Sequence, residues 1–405
     1  GKSVACELPH AWSTSKRAPN VGTTLAPHRI GYLQDWMIGT QSFKDQFAMS
    51  RFAFDEAYEQ GLLDRPVELV LREVEGPPYA QVHPIIATYN ELIEKGQCIG
   101  VIGPFITDVT KPLRKVIERA RIPTLSYCAT VHFAGEYCFQ IPNGTFIDET
   151  ALITRHLQKL GVKTVGVIRE DNSMADEYVD FFRHNARLRG IAIATDQLIA
   201  TFVKDPAAEI EPKLKAIRDS GAQAIAFLAY GQTTHQVATA FQKLSARWNW
   251  NVPRVTVTTW VGVTCPGFTY FPEDIRDRPE LLEGWVGVDQ LDERNTVFQA
   301  VLDRFERKHG YRPLHCYASC GYDLGQTMAL ALSRAKPATP EALKVALESI
   351  RMLPAATGGA GTVISFGPHE RRGYKGLDYV TLRTVHKGEE MLAARAYPEL
   401  YPAHR

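Results

Sequence analysis

The chain's most reactive side chains, 12 histidines and 7 cysteines, lack the spacing of a catalytic or metal centre. No Cys-x-x-Cys pair occurs, so neither a zinc ribbon nor a thioredoxin-type redox pair is expected. Cys316 and Cys320 stand one helical turn apart beside His315, a poor disulfide geometry with too few neighbouring ligands for a metal, and read as core residues. Cys128 and Cys138 flank a short turn-like segment. A disulfide in an oxidising compartment and a pair of buried free thiols are equally compatible with that spacing. Cys6, Cys98 and Cys265 complete the set. No G-x-S-x-G, H-E-x-x-H, phosphate-loop or G-x-G-x-x-G string follows an expected strand. The acid pairs Glu170-Asp171 and Glu389-Glu390 read as solvated surface. Neither catalysis nor a cofactor is expected.

Aromatic and hydroxyl residues do recur where short apolar runs break off. Six such places are Tyr32-Leu33-Gln34-Asp35-Trp36, Phe105-Ile106-Thr107-Asp108, Tyr127-Cys128-Ala129-Thr130, Asn172-Ser173-Met174, Tyr230-Gly231-Gln232-Thr233 and Thr259-Trp260-Val261. In open parallel sheets ligands bind beyond the carboxyl ends of the strands, where helix N-termini present free N–H groups. Aromatic walls with a few polar anchors are what a small-molecule cleft requires.

The elements that would position these residues alternate in type. Strands are expected at His28–Leu33, Val67–Leu71, Cys98–Pro104 and Pro123–Tyr127, with helices at Phe43–Gln60, Tyr79–Lys95 and Thr110–Ala120 between them. The pattern restarts after Pro142–Thr150. Helices Asp148–Leu160, Ala175–Arg189, Glu209–Ser220 and Gln232–Ala246 then alternate with strands Thr164–Ile168, Ile191–Ala194, Ala222–Ala229 and Pro253–Thr259. Such alternation implies βαβ units, and here an α/β fold of two doubly wound parallel-sheet lobes. A third block, Thr296–His309, His315–Lys336 and Pro340–Ile350, is helical with little strand between. Late strands follow at Thr362–Phe366 and Leu377–Val385. Having no sheet of its own, the helical block must return to an earlier domain, which makes the domains discontinuous.

Composition narrows the partners. The 405 residues are 45% apolar and 22% charged, an ordinary globular balance with core enough for two or three domains. Lys+Arg number 46 against 45 Asp+Glu, a net charge of +1, so a nucleic-acid partner is not expected. The longest apolar runs, Ala222–Tyr230 and Cys98–Ile106, are about half of the roughly 20 residues that a membrane helix needs. Residues 1–27 carry Trp12, Lys16 and Arg17 and lack the apolar middle of a secretion signal.

Several strings in order resemble one family. Ile99-Gly100-Val101-Ile102-Gly103-Pro104-Phe105-Ile106-Thr107 is followed by Arg121-Ile122-Pro123-Thr124-Leu125-Ser126 with Ala129-Thr130. Phe366-Gly367 and Lys375-Gly376-Leu377-Asp378-Tyr379 come late. From about Arg29 to the C-terminus the chain resembles the type I periplasmic solute-binding proteins of ABC importers. The branch is that of the leucine/isoleucine/valine-binding proteins, which also includes the amide sensors of amidase operons. The resemblance implies two lobes joined by a three-strand hinge that close on a ligand. Lobe 1 is expected to comprise residues 28–145 with 287–362, and lobe 2 residues 146–286 with 363–405, residues 1–27 being an N-terminal extension.

The resemblance also implies contact residues. First-lobe anchors fall on Thr107, Ala129 and Thr130, and second-lobe contacts on Met174, Tyr230, Gln232 and Trp260. Amino-acid binders of the family place a carboxylate where this chain has Trp260, and a buried ammonium without a counter-charge is costly. With Tyr32, Trp36, Phe105 and Tyr127 nearby, the expected ligand is an aromatic or apolar carboxylate, or an amide. Expected partners are that ligand and the membrane subunits of an importer, outside the cytoplasm. The alternative implied by the sensors is a cytoplasmic protein that regulates gene expression through a protein partner.

Overall fold

Apolar strands buried along their length need helices on both faces of their sheet. In the computed structural model, which describes residues 25–77, 80–229, 231, 233–258, 277–376 and 378–402, the chain builds two such sheets. The first contains β1 (His28–Gln34), β2 (Val67–Glu73), β3 (Gly100–Ile102), β4 (Thr124–Ser126) and β5 (Cys138–Gln140). Its order is β2-β1-β3-β4-β5 and every pairing is parallel. Helices α1 (Gln41–Glu59), α2 (Val82–Glu94) and α3 (Thr107–Ala120) connect its strands.

The second set runs α4 (Phe146–Lys159), β6 (Thr164–Glu170), α5 (Ser173–Leu188), β7 (Ala192–Ile199), α6 (Pro206–Asp219), β8 (Ala224–Leu228), α7 (Thr234–Trp248), β9 (Arg254–Thr256) and β10 (Trp285–Asp289). Side-chain caps start these helices where the sequence supplies them. Thr145 Oγ1 accepts from the Asp148 amide, and Asn172 Oδ1 from the Ala175 amide. Beyond β10 lie the helices Thr296–His309, Cys316–Arg334 and Pro340–Glu348. Three short strands, β11 (Leu353–Pro354), β12 (Val363–Ile364) and β13 (Tyr374–Lys375), form a small antiparallel sheet. Finally β14 (Thr381–His386) and β15 (Glu389–Leu392) join the second sheet antiparallel, giving β15-β14-β10-β9-β8-β6-β7.

The late helical block covers the first sheet. Phe298, Leu302 and Phe305 share a core with Ile30, Val101 and Leu125, and Ser50 of α1 donates to the Gly321 carbonyl at 2.7 Å. Among the described residues the chain passes between the sheets at 141–145, at 290–295 and between β13 and β14. These strands of the hinge are tied together. Gln290 Nε2 donates to the Pro142 carbonyl at 2.9 Å, and the Tyr379 hydroxyl bonds Thr145 and Asp148.

Some placements differ from the sequence expectation. Residues 287–289, expected with lobe 1, pair with β14 in the second sheet. Residues 363–375, expected with lobe 2, contribute Ile364, Phe366 and Tyr374 to the first core. An apolar strand shows its buried face in the sequence but not which sheet it joins. Strands β5, β10 and β15 were not expected, and β5 is only three residues long.

Candidate functional site

The first wall of the site is made by the carboxyl ends of β1, β3 and β4. Gly103, just beyond β3, has φ +90, and a Cβ there would lie 2.1 Å from the Leu33 carbonyl oxygen, so only glycine lets the two strand ends meet. Asp35, beyond β1, then clamps the following loop. Its carboxylate accepts from the Phe105 amide at 2.8 Å and the Ile106 amide at 3.1 Å. Burial pushes Asp35 up to about 7, opposed by those two amide bonds.

The clamp fixes Phe105, whose ring stacks on Tyr127 with centroids 4.2 Å apart and planes 18° apart. It also fixes the start of α3, where Ile106 provides no side-chain cap, so Thr107 opens the helix on the cleft. The Tyr127 hydroxyl donates to Gln46 Oε1 at 3.1 Å, and Tyr317 of the late helical block closes in at 5.9 Å.

The second wall comes from α4, α5 and the ends of β8 and β9. Met174 lies in the first turn of α5 and Tyr178 one turn later on the same face. The Tyr178 ring packs on Phe146 at 4.2 Å. Its hydroxyl donates to Glu149 Oε2 at 2.9 Å and lies 2.8 Å from Thr258 Oγ1, while the Thr258 amide donates to Glu149 Oε1 at 2.8 Å. Burial pushes Glu149 up to about 8, countered by the bonds from Tyr178 and Thr258. Gly144, in the first crossover at φ +74, gives this carboxylate its room: a Cβ there would stand 2.5 Å from Glu149 Oε2.

Between the walls is a cavity of about 80 Å³, reached by Trp36, Phe105, Ile106, Thr107, Tyr127 and Ala129 on one side and by Phe146, Met174, Tyr178, Ala229 and Thr258 on the other. Asn143 of the crossover and Tyr317 complete it. None of these residues carries a formal charge. Sites for drug-sized molecules run to several hundred Å³, so the lobes as they stand admit a compact ligand. Among the described residues no cluster of three or more His, Cys, Asp or Glu could hold a metal.

Of the residues singled out in the sequence, Trp36, Phe105, Thr107, Tyr127, Ala129 and Met174 meet at this cavity. Tyr32 does not. It points into the layer between β1 and α1, edge-on to Phe47 at 5.0 Å and accepting from Gln46 Nε2 at 2.8 Å. Thr130 is also turned away, donating to Glu177 Oε2 of α5 at 2.9 Å. Tyr230, Gln232 and Trp260 lie outside the described residues. Cys128 and Cys138 are free, buried thiols, with Cys128 Sγ accepting from Gln140 Nε2 at 3.3 Å.

Sequence reasoning missed Asn143, Phe146, Tyr178, Thr258 and Tyr317. Only Tyr178 left a signal, its place on the expected helix Ala175–Arg189 four residues after Met174.

Two α/β lobes, three crossovers and a cleft at the strand ends define a hinged solute-binding fold. The periplasmic binding protein family model matches residues 29–375, and the chain belongs to that family. It is a family of binding proteins, not of enzymes. A leucine-binding protein from Thermotoga maritima is 16% identical, with TM-score 0.72 over 91% of this chain and 98% of that one. A branched-chain amino acid transporter substrate-binding protein from Streptococcus pneumoniae, in complex with isoleucine, is 15% identical, with TM-score 0.72 over 90% and 98%. A solute-binding protein of an ABC transporter from R. palustris, in complex with 4-hydroxybenzoate, is 17% identical, with TM-score 0.71 over 91% and 95%. At such identities these likenesses establish the fold. No curated protein matches the sequence.

Proposed function

We propose that this protein captures an aromatic or apolar carboxylate, or an amide, between two closing lobes outside the cytoplasm and delivers it to the membrane subunits of an ABC importer. The observation that carries the ligand class is that no described lining residue carries a formal charge, set against a start of α3 that Ile106 does not cap with its side chain. A carboxylate or amide oxygen suits the Thr107 hydroxyl and the N–H groups of that helix end. A ring suits the stacked pair Phe105 and Tyr127, with Trp36 and Met174 around it. An α-ammonium would find no carboxylate among the described lining residues. A solved structure of similar fold, in complex with 4-hydroxybenzoate, supports this reading.

Isothermal titration of the purified protein with 4-hydroxybenzoate, benzoate, benzamide and leucine tests the reading. Binding of an aromatic acid or amide with no heat from leucine is expected. Leucine binding with no response to the other three would overturn it.

A further inference from the structure

The second wall holds a buried acid, Glu149, whose hydrogen-bond partners Tyr178 and Thr258 line the cleft. We infer that Glu149 sets the hydrogen-bonding polarity of that wall, and so the class of group a ligand must present to it, by fixing the direction of the chain Glu149–Tyr178–Thr258. This rests on the aromatic-carboxylate reading above, which assigns the ligand's carboxylate to Thr107, and takes the ligand's far end to reach the second wall.

Proton counting gives the two states. Each hydroxyl has one proton to donate and lone pairs to accept with. The Thr258 amide donates to Glu149 Oε1 in both states. When Glu149 is ionised, Oε2 takes the Tyr178 proton, and Tyr178 Oη accepts from Thr258 Oγ1. Both hydroxyl protons are then used, and the wall offers the ligand only acceptors. It then selects an amine or hydroxyl. When Glu149 is neutral, its own proton goes to Tyr178 Oη, Tyr178 donates to Thr258 Oγ1, and the Thr258 proton is left for the ligand. The wall then selects an ether or carbonyl oxygen.

Asn143 Oδ1, buried with no partner and lining the same cavity, is the orphan atom that such a ligand group would also reach. Its amide can present either face, so the polarity is decided by Glu149.

Several described charges on and around α4 are engaged elsewhere. Asp148, beside Glu149, accepts from Tyr379 and raises the Glu149 pKa by its charge. On α5, Asp176 pairs with Arg169 and Glu177 with Lys111. On β9, Arg254 bonds Asn251 and the Glu283 carbonyl, and on β10 Asp289 accepts from the Gln290 and Leu291 amides. Burial places the Glu149 transition near pH 8, so both states are reachable in ordinary buffers.

The test compares 4-aminobenzoate, whose amine donates, with 4-methoxybenzoate, whose ether only accepts. Neither titrates between pH 6.5 and 9.5. Their Kd values are measured calorimetrically at both pH values on the full chain, and the size difference between them cancels in the pH dependence of their ratio. In the wild type, preference for the amine should rise about fivefold or more from pH 6.5 to 9.5, the effect of one wall hydrogen bond made or lost. Glu149→Gln copies the neutral acid, donating from Nε2 and accepting at Oε1, so its ratio should stay flat at the low-pH value. Tyr178→Phe cuts the chain and should also be flat. A wild-type ratio that does not move, or an equal movement in either variant, overturns the proposal. Binding of neither acid at either pH overturns the aromatic-carboxylate reading, and this proposal with it.

Discussion

Removing the Glu177 carboxylate should let the two lobes part. Glu177 sits on α5, in the second lobe, and its partners Thr130, Val131 and Lys111 lie on the first. Its oxygens accept from Thr130 Oγ1 at 2.9 Å, from the Val131 amide at 3.1 Å and from Lys111 Nζ at 3.0 Å. Lys111 reaches on to Ser173 Oγ, also on α5, at 3.0 Å. The Glu177 side chain is 7% exposed, so its two bonds from Thr130 and Val131 count as charged, desolvated hydrogen bonds of about 1.5 kcal/mol each at the low end. Lys111 is 28% exposed and its ion pair is screened, adding under about 1 kcal/mol. Together the contacts hold the lobes by roughly 3 kcal/mol, or about 100-fold in the closed-to-open equilibrium. Glu177→Ala forfeits all of this. Glu177→Gln keeps the shape and one acceptor and should lose the smaller part, about three- to tenfold.

Small-angle scattering of the ligand-free proteins reads the equilibrium directly. The alanine variant should show a larger radius of gyration than the wild type, with the glutamine variant between them. Thermal unfolding of each variant controls for damage within a lobe. Wild-type scattering from Glu177→Ala, or a lowered melting temperature with no change in dimensions, would refute the reasoning.

Two further outcomes follow from buried titratable groups. Cys98, Cys128, Cys138 and Cys320 are buried thiols outside any disulfide, and burial raises the pKa of each. Alkylation of the denatured, unreduced protein should therefore modify both Cys128 and Cys138, whereas a linked Cys128–Cys138 peptide would contradict the structure. His156 lies stacked on Tyr401 with its Nδ1 2.6 Å from the hydroxyl, and burial pulls it down to about 4. The unfolded chain takes up this proton near pH 6.5 and the folded one does not, so stability falls as pH drops from about 6.5 to 4. His156→Gln should lose on the order of 2 kcal/mol less than the wild type on going from pH 7.5 to 5, measured by urea titration, and an equal loss would contradict the assignment.

The βαβ rhythm was legible because parallel strands buried on both faces read as continuous apolar runs and the helices between them as periodic ones. The cleft was legible in part for the same reason, since strand ends can be located once strands are. Side-chain direction was not. Tyr32 lies on β1 itself, where the pleat turns it toward α1, while Trp36 beyond the strand end turns into the cleft. Thr130 carries the hydroxyl expected of an anchor, yet the nearest demand for a proton is Glu177, 47 residues away in the chain. Glu149 and Tyr178 meet only because α4 and α5 pack together, and nothing in either helix's own sequence announces the pair. The membership of β10 and of 363–375 depends likewise on long-range pairing that periodicity does not encode.

The central claim is that this cleft takes a small organic ligand with no ammonium group. Thermal denaturation against a panel of aromatic acids, aliphatic acids, amides and amino acids tests it most directly. A ligand at about 100 times its Kd stabilises the native state by roughly 2.7 kcal/mol, worth about 5 °C or more for lobes of this size. The account predicts such a rise with at least one aromatic or apolar carboxylate or amide, and none with leucine or isoleucine. A rise confined to the amino acids would contradict it.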